Sequence, residues 1–164
     1  IDSAKVQFEK VASNSNSDVA NDALDRLVML EQNKKLTKAL KIYAKADLKK
    51  FQDNYTDAIK LYKEAHELSE GEDLAEKSLV RIAEIEFERT NYSAVRENMN
   101  KLMEEYPESI YTDYATVLIA RSFLQEGDEQ AAMKKYNKLL INHPRSIYLQ
   151  EARDKIRELR NEKS

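Results

Sequence analysis

The 164-residue chain predicts an all-α fold of stacked helical hairpins, about nine helices in all. Three observations carry this. Ala, Leu, Glu, Lys and Arg make up 80 of the residues, the composition of helix-dominated chains. Only Gly71, Gly127, Pro107 and Pro144 punctuate strongly, too few for the turns of a β sandwich or barrel. The sequence also repeats itself every 37 residues, within the range of helical-repeat architectures.

The repeat shows as columns. Ala46, Ala83 and Ala120 align, then Ala58, Val95 and Ala132, then Tyr62, Met99 and Tyr136, then Ala65, Leu102 and Leu139. Leu74, Tyr111 and Tyr148 keep the same register, as do Ser78, Ala115 and Ala152. Tyr106-Pro-Glu-Ser-Ile-Tyr111 and His143-Pro-Arg-Ser-Ile-Tyr148 are nearly one hexapeptide, a period apart. The small residues at 46, 83 and 120 let a second helix approach closely. Positions i, i+4 and i+7, as in Ala132, Tyr136 and Leu139, share one helix face that must be buried. Each hairpin has a face that only a stacked neighbour completes.

Taken in order, the first helix runs over about 2–13, with Ala4, Phe8 and Val11 repeating the second-helix stripe. A polar loop over 13–17 follows, its last residue Ser17 suited to cap a helix over 17–32. The first stripe stands 54 residues before its counterpart at Ala58, 17 more than one period, so one extra or irregular helix is expected near 17–37. Paired helices follow near 36–53 and 55–69, 74–90 and 92–105, and 110–126 and 129–142. Pro107 and Pro144 stop the second helix of a pair, and Ser109 and Ser146 stand where the next helix needs an N-cap. A last helix near 146–161 keeps only Ala152, Ile156 and Leu159 as an apolar stripe among charges that include Glu162 and Lys163, the polar outer face of a terminal cap.

The order small, small at +12, then aromatic, apolar and Pro at +4, +7 and +12 from the second small residue resembles the tetratricopeptide repeat. Ala120, Ala132, Tyr136, Leu139 and Pro144 carry it, and likewise Ala83, Val95, Met99, Leu102 and Pro107. That family usually repeats every 34 residues; the 37-residue form looks like repeats of bacterial envelope proteins, the outer-membrane-assembly lipoprotein and Tol–Pal-associated types. Tyr43-Ala-Lys-Ala-Asp-Leu-Lys-Lys-Phe-Gln52 with Asn54-Tyr-Thr-Asp-Ala58 is similar to the C-terminal arrays of large bacterial members. The family's large aromatic early in the first helix is absent, with Ile42, Leu79 and Thr116 in its place. The resemblance implies a right-handed α-α solenoid and, for location, the periplasm or outer membrane. The organisation expected is one array over 1–164: irregular helices over 1–37, repeats over 38–73, 74–110 and 111–147, and a capping helix over 148–164. Starting at Ile1 on an unpaired second helix, it reads as a C-terminal piece of a longer protein.

No catalytic or cofactor-binding pattern appears. The chain has no Cys, hence no thiolate site or disulfide, and its two glycines cannot make a phosphate loop. His143 sits in a turn column, and His66 beside Glu64, Glu67, Glu70, Glu72 and Asp73 reads as part of a solvated acidic face rather than a divalent-cation site. The net charge of −3 argues against a nucleic-acid binder, and no apolar run approaches the roughly 20 residues of a membrane span. The resemblance therefore implies a non-catalytic scaffold for a protein or peptide partner. Its groove strip on the first helices is Tyr43, Asp47, Lys77, Arg81, Glu84, Tyr114 and Arg121, with Val80, Val117 and Leu118 beside them. The family's C-terminal-carboxylate clamp is not expected: Lys77 and Arg81 match its last pair, but Ala44 and Asp47 stand where its Asn belongs, and Asp47 would repel a carboxylate. The competing reading is a structural cap or spacer with the binding site upstream, weakly self-associating through the Ala4, Phe8, Val11 face. Lys34, Lys35, Lys38, Lys41, Lys45, Lys49 and Lys50 crowd one segment, chiefly as a solvated face with exposed pairs worth at most about 1 kcal/mol each.

Overall fold

The computed structural model describes residues 2–14 and 18–161. These form nine α-helices and no strand: α1 (Asp2–Asn14), α2 (Asp18–Gln32), α3 (Thr37–Phe51), α4 (Tyr55–Leu68), α5 (Asp73–Glu88), α6 (Tyr92–Glu105), α7 (Thr112–Gln125), α8 (Glu129–Asn142) and α9 (Leu149–Asn161). The expected all-α repeat is what forms. The N-cap expected at Ser17, and the terminal charges Glu162 and Lys163, lie outside the described residues. The chain divides into two compact units, 1–75 and 76–164, with the division in the first turn of α5. Among the described residues no helix is long and apolar enough to cross a membrane.

In the first unit α1 packs on α2 and α3 on α4. The irregular stretch resolves into α2 and a 3-10 turn over Lys34–Leu36 that runs straight into α3. The break is at Asn33, which is buried and turns its amide back to donate to the Met29 carbonyl at 2.9 Å. Tyr43 of α3 and Tyr62 of α4 meet edge to face, centroids 5.1 Å apart, in a hairpin whose Ala46 and Ala58 are fully buried. Small residues there leave room for the two rings.

In the second unit α5, α6 and α7 share a core of Leu79, Ala83, Val95, Met99, Leu102, Ala115 and Ile119. α7, α8 and α9 share another, of Val117, Ala120, Tyr136, Leu139, Ala152 and Ile156. α7 is thus buried on nearly every side, Ala115 through Ala120 without a gap. All twelve residues of the first four columns, in both units, are 0 % exposed. That is the strongest physical support for the periodicity, because the columns were defined by size and spacing alone.

The hairpin turns repeat at backbone level. After α3, α5 and α7 one residue takes positive φ: Asp53 (56°), Thr90 (58°) and Gly127 (77°), each 37 residues after the last. In each, the next N–H reaches back five residues: Asn54 to the Lys49 carbonyl, Asn91 to Glu86 and Asp128 to Phe123, at 2.8–2.9 Å. The positive-φ residue bonds one step inside, as in Thr90 N–H to the Phe87 carbonyl at 3.0 Å. This is the Schellman arrangement, which satisfies carbonyls otherwise left open at a helix end. The Asx residue that closes it also begins the next helix, where Asn54 accepts from the Asp57 N–H and Asp128 from the Ala131 N–H.

The second kind of turn departs from expectation. α6 and α8 end before Pro107 and Pro144, with Tyr106 and His143 out of the helical region as a residue preceding proline must be. Ser109 and Ser146, however, do not cap the following helices, which start three residues later. Each accepts from the N–H two residues on (Tyr111 at 3.1 Å, Tyr148 at 3.2 Å). Each donates to a carboxylate of the preceding first helix, Ser109 to Glu76 at 2.6 Å and Ser146 to Asp113 at 2.7 Å. A hydroxyl can do both at once, so the turn serine ties one repeat to the next.

Candidate functional site

Of the strip expected on the first helices, Tyr43 and Asp47 lie in the first unit and Lys77, Arg81, Glu84, Tyr114 and Arg121 in the second. In the first, Tyr43 is buried (1 % exposed) and contributes packing rather than surface. Asp47, four residues on, is half-exposed; it accepts from Arg26 of α2 at 2.5 Å and from the Tyr62 hydroxyl. A helix outside the regular repeat is thereby tied to the first regular hairpin by one carboxylate.

In the second unit, α5 presents Lys77, Arg81 and Glu84, all half-buried. Arg81 donates to Glu84 at 2.8 Å, and the other Glu84 oxygen accepts from the Tyr114 hydroxyl of α7 at 3.2 Å. Tyr114 stacks at a tilt on Tyr148, centroids 5.8 Å apart. About two turns along α7, Arg121 forms a two-pronged pair with Glu151 of α9, at 2.8 and 2.5 Å. Glu151 also accepts from the Tyr136 hydroxyl at 3.3 Å. Val117 and Leu118, expected beside this strip, are buried beneath it, as is Val80.

The electrostatics follow from these contacts. The hydrogen bond from Arg121 holds the Glu151 carboxyl below the ordinary carboxylate range, and the same bond raises the Arg121 guanidinium. Burial, then the nearby Glu84 charge, pushes the Tyr114 hydroxyl well up; burial, then Glu151, does the same to Tyr136. Both phenols stay protonated donors at any physiological pH. The strip is thus a row of fixed donors and acceptors joined side to side, with Arg81 and Arg121 each about two-fifths exposed.

Glu151, Tyr148 and Arg26 were not in the expected strip. Glu151 and Tyr114 share a register column, 37 residues apart, so the periodicity contained the signal for Glu151. Arg26 lies outside the repeat and carried none. His66 is buried with Nδ1 3.2 Å from the Ala75 carbonyl oxygen; an oxygen that can only accept fixes the proton on Nδ1. Its ring is packed into the fold, so His66 is not part of the solvated acidic face in which the sequence placed it.

Residues 114–146, which span most of α7 and all of α8, match the family described as the tetratricopeptide repeat. Repeats of that kind generally mediate protein–protein interactions. No curated protein matches the chain.

Proposed function

We propose that the chain is a non-catalytic scaffold whose first-helix strip holds a segment of a partner protein. The carrying observation is the ladder Arg81–Glu84–Tyr114 and Arg121–Glu151: polar groups set rigidly by their neighbours, with part of each arginine still facing solvent. Pre-set donors lose little entropy on binding, which favours recognition of a backbone or acidic side chain. Lys77 belongs to this proposed surface; Asp47, with the buried Tyr43 as support, is proposed as a separate contact within the first unit. The match at 114–146 supports the same class of function.

The test is a phage-displayed peptide library selected on the 164-residue chain, with enriched peptides titrated against wild type and Arg81→Glu plus Arg121→Glu. Loss of binding by the doubly reversed chain, with its helical spectrum intact, is expected. Equal affinity for both would move the site off this strip.

One observation favours the spacer reading. Among the described side chains of α9 only Ala152, Ile156 and Leu159 are buried, and Arg153, Arg157, Glu158 and Arg160 are exposed, as on a solvated helix. A spacer predicts that the selection returns no peptide at all. The α1 face proposed for self-association has Ala4 and Val11 exposed and Phe8 half-buried, so concentration-dependent sizing of the chain and of Val11→Glu tests that part.

A further inference from the structure

The end of the chain carries a charge asymmetry separate from the strip. No Asp or Glu occurs between Gln130 and Gln150, while Lys134, Lys135, Lys138 and Arg145 do. Over residues 130–161 eight Lys and Arg face three carboxylates, in a chain whose net charge is −3. The crowding is physical: burial and the charges of Lys138 and Lys134 lower the pKa of Lys135.

Between α8 and α9 lies a cleft of about 320 Å³ lined by Asn137, Leu140, Arg153, Ile156, Arg157 and Arg160. Arg153, Arg157 and Arg160 recur at i, i+4 and i+7, hence on one face of α9. Glu151 is held by Arg121 and Glu158 pairs with Lys155, while Asp154 accepts from Gln150 at 3.0 and 3.1 Å and meets Arg157 at 3.4 Å. Leu140 and Ile156 make an apolar floor. Asn137 donates its amide to the Met133 carbonyl at 2.8 Å, which turns its own carbonyl oxygen toward acceptance.

The repeat shows what shape fits there. One period earlier the same register positions are Asn100, Met103, Thr116, Ile119, Ala120 and Phe123. At that earlier groove Thr116, Ile119 and Ala120 are buried, and Ala120 packs in one cluster with Tyr136 and Leu139 of α8. A helix fills it. At the later groove arginines replace Thr116, Ala120 and Phe123, so a helix seated in the same way would have to bring carboxylates.

We infer that the α8–α9 cleft docks an acidic amphipathic helix of a partner protein, its carboxylates on Arg153, Arg157 and Arg160 and one apolar side chain on Leu140 and Ile156. Arginine forks pair with carboxylates two-pronged, and they do so best where the surroundings are partly dry. Asn137 then accepts a donor from the same segment. A concave site of this size admits side chains, whereas an anionic bilayer presents a plane of headgroups; the peptide is the better fit. This site is independent of the first-helix strip.

The probe is a fluorescein-labelled helical peptide of roughly 18 residues, about five turns, with Glu at i, i+4 and i+7 beside a Leu stripe. Its controls are a scrambled peptide of the same composition and the Glu→Gln form. The full 164-residue chain is expected to bind the patterned Glu peptide about tenfold more tightly than either control, and Arg153→Glu plus Arg157→Glu to remove that preference. Arg81→Glu, on the other surface, leaves it intact. If the doubly reversed chain melts early, Arg153→Gln plus Arg157→Gln carries the same comparison. Equal binding of patterned and scrambled peptides, or binding that survives the arginine changes, overturns the site. So does capture by phosphatidylserine vesicles that depends on these arginines without any preference for the patterned peptide.

Discussion

Thr90 is the residue whose replacement speaks most directly to the periodic turn. It holds φ at 58° in the same register as Gly127, yet it is β-branched and exposed. The left-handed region costs an ordinary L-residue about 1–2 kcal/mol. Glycine escapes that cost but has more unfolded freedom to lose, which returns roughly 0.4–1 kcal/mol. Thr90→Gly should therefore stabilise by about 0.5–1 kcal/mol net. In a domain of this size that corresponds to a rise of about 1–4 °C in Tm. The converse change has the opposite sign. Gly127→Thr meets no atom within 4 Å of its new Cβ, so its cost is conformational alone, about 1–2 kcal/mol. Thermal and urea melts followed at the helical band read both. A lower melting point for Thr90→Gly, or no loss for Gly127→Thr, would refute the claim that one backbone geometry recurs at these positions.

Ser109→Ala removes a buried hydroxyl that both donates to Glu76 and accepts from Tyr111, and should cost about 1–2 kcal/mol in urea melts. Ala120→Leu forces a larger side chain into a fully buried site against Tyr136 and should cost about 1–3 kcal/mol. Glu151 supplies a pH test. Its folded pKa lies below the ordinary 4.5, so its contribution is present above that value and is lost as the pH falls through the folded one. Tm should drop more steeply with acid for wild type than for Glu151→Gln in that window.

Most of the fold was legible because the signals were steric. Buried columns tolerate few sizes, so Ala46, Ala83 and Ala120 or Tyr62, Met99 and Tyr136 stand out from letters alone. Helix ends were legible where a residue is compelled, as at Pro107 and Pro144. They were less so where the backbone does the work: Thr90, β-branched, gives no sign of positive φ, although Asp53 and Gly127 in the same column are residue types that enter that region. Ser109 read as a cap because serine accepts well at helix starts, and the letters do not say that Glu76 lies within reach as a second partner. The strip was legible as a register face, but which of its members bond one another depends on lateral distances between helices. For that reason Glu151 was missed while its partner Arg121 was named.

The charge-bearing columns contain a last, sharper expectation. Glu84 and Tyr114 stand 30 residues apart and bond; Arg121 and Glu151 stand 30 residues apart and bond. They occupy the same two register positions, one period on, so the repeat has exchanged an acceptor–donor pair for a donor–acceptor pair while keeping the lateral link. If the link is what the fold requires and the sign is free, the earlier pair should accept the later chemistry. Glu84→Arg alone sets a second cation beside Arg81 and strips Tyr114 of its acceptor, and should destabilise. Tyr114→Glu alone sets a second carboxylate against Glu84 and should also destabilise. The double change restores an opposite-charge link, and should recover part of the summed losses, a coupling of about 1 kcal/mol in a double-mutant cycle. Strict additivity would mean that the two bonds are incidental to the stacking of first helices. Recovery would mean that the outward field of the strip can be rewritten without disturbing the columns beneath it, the property a scaffold needs if one hairpin is to serve different partners.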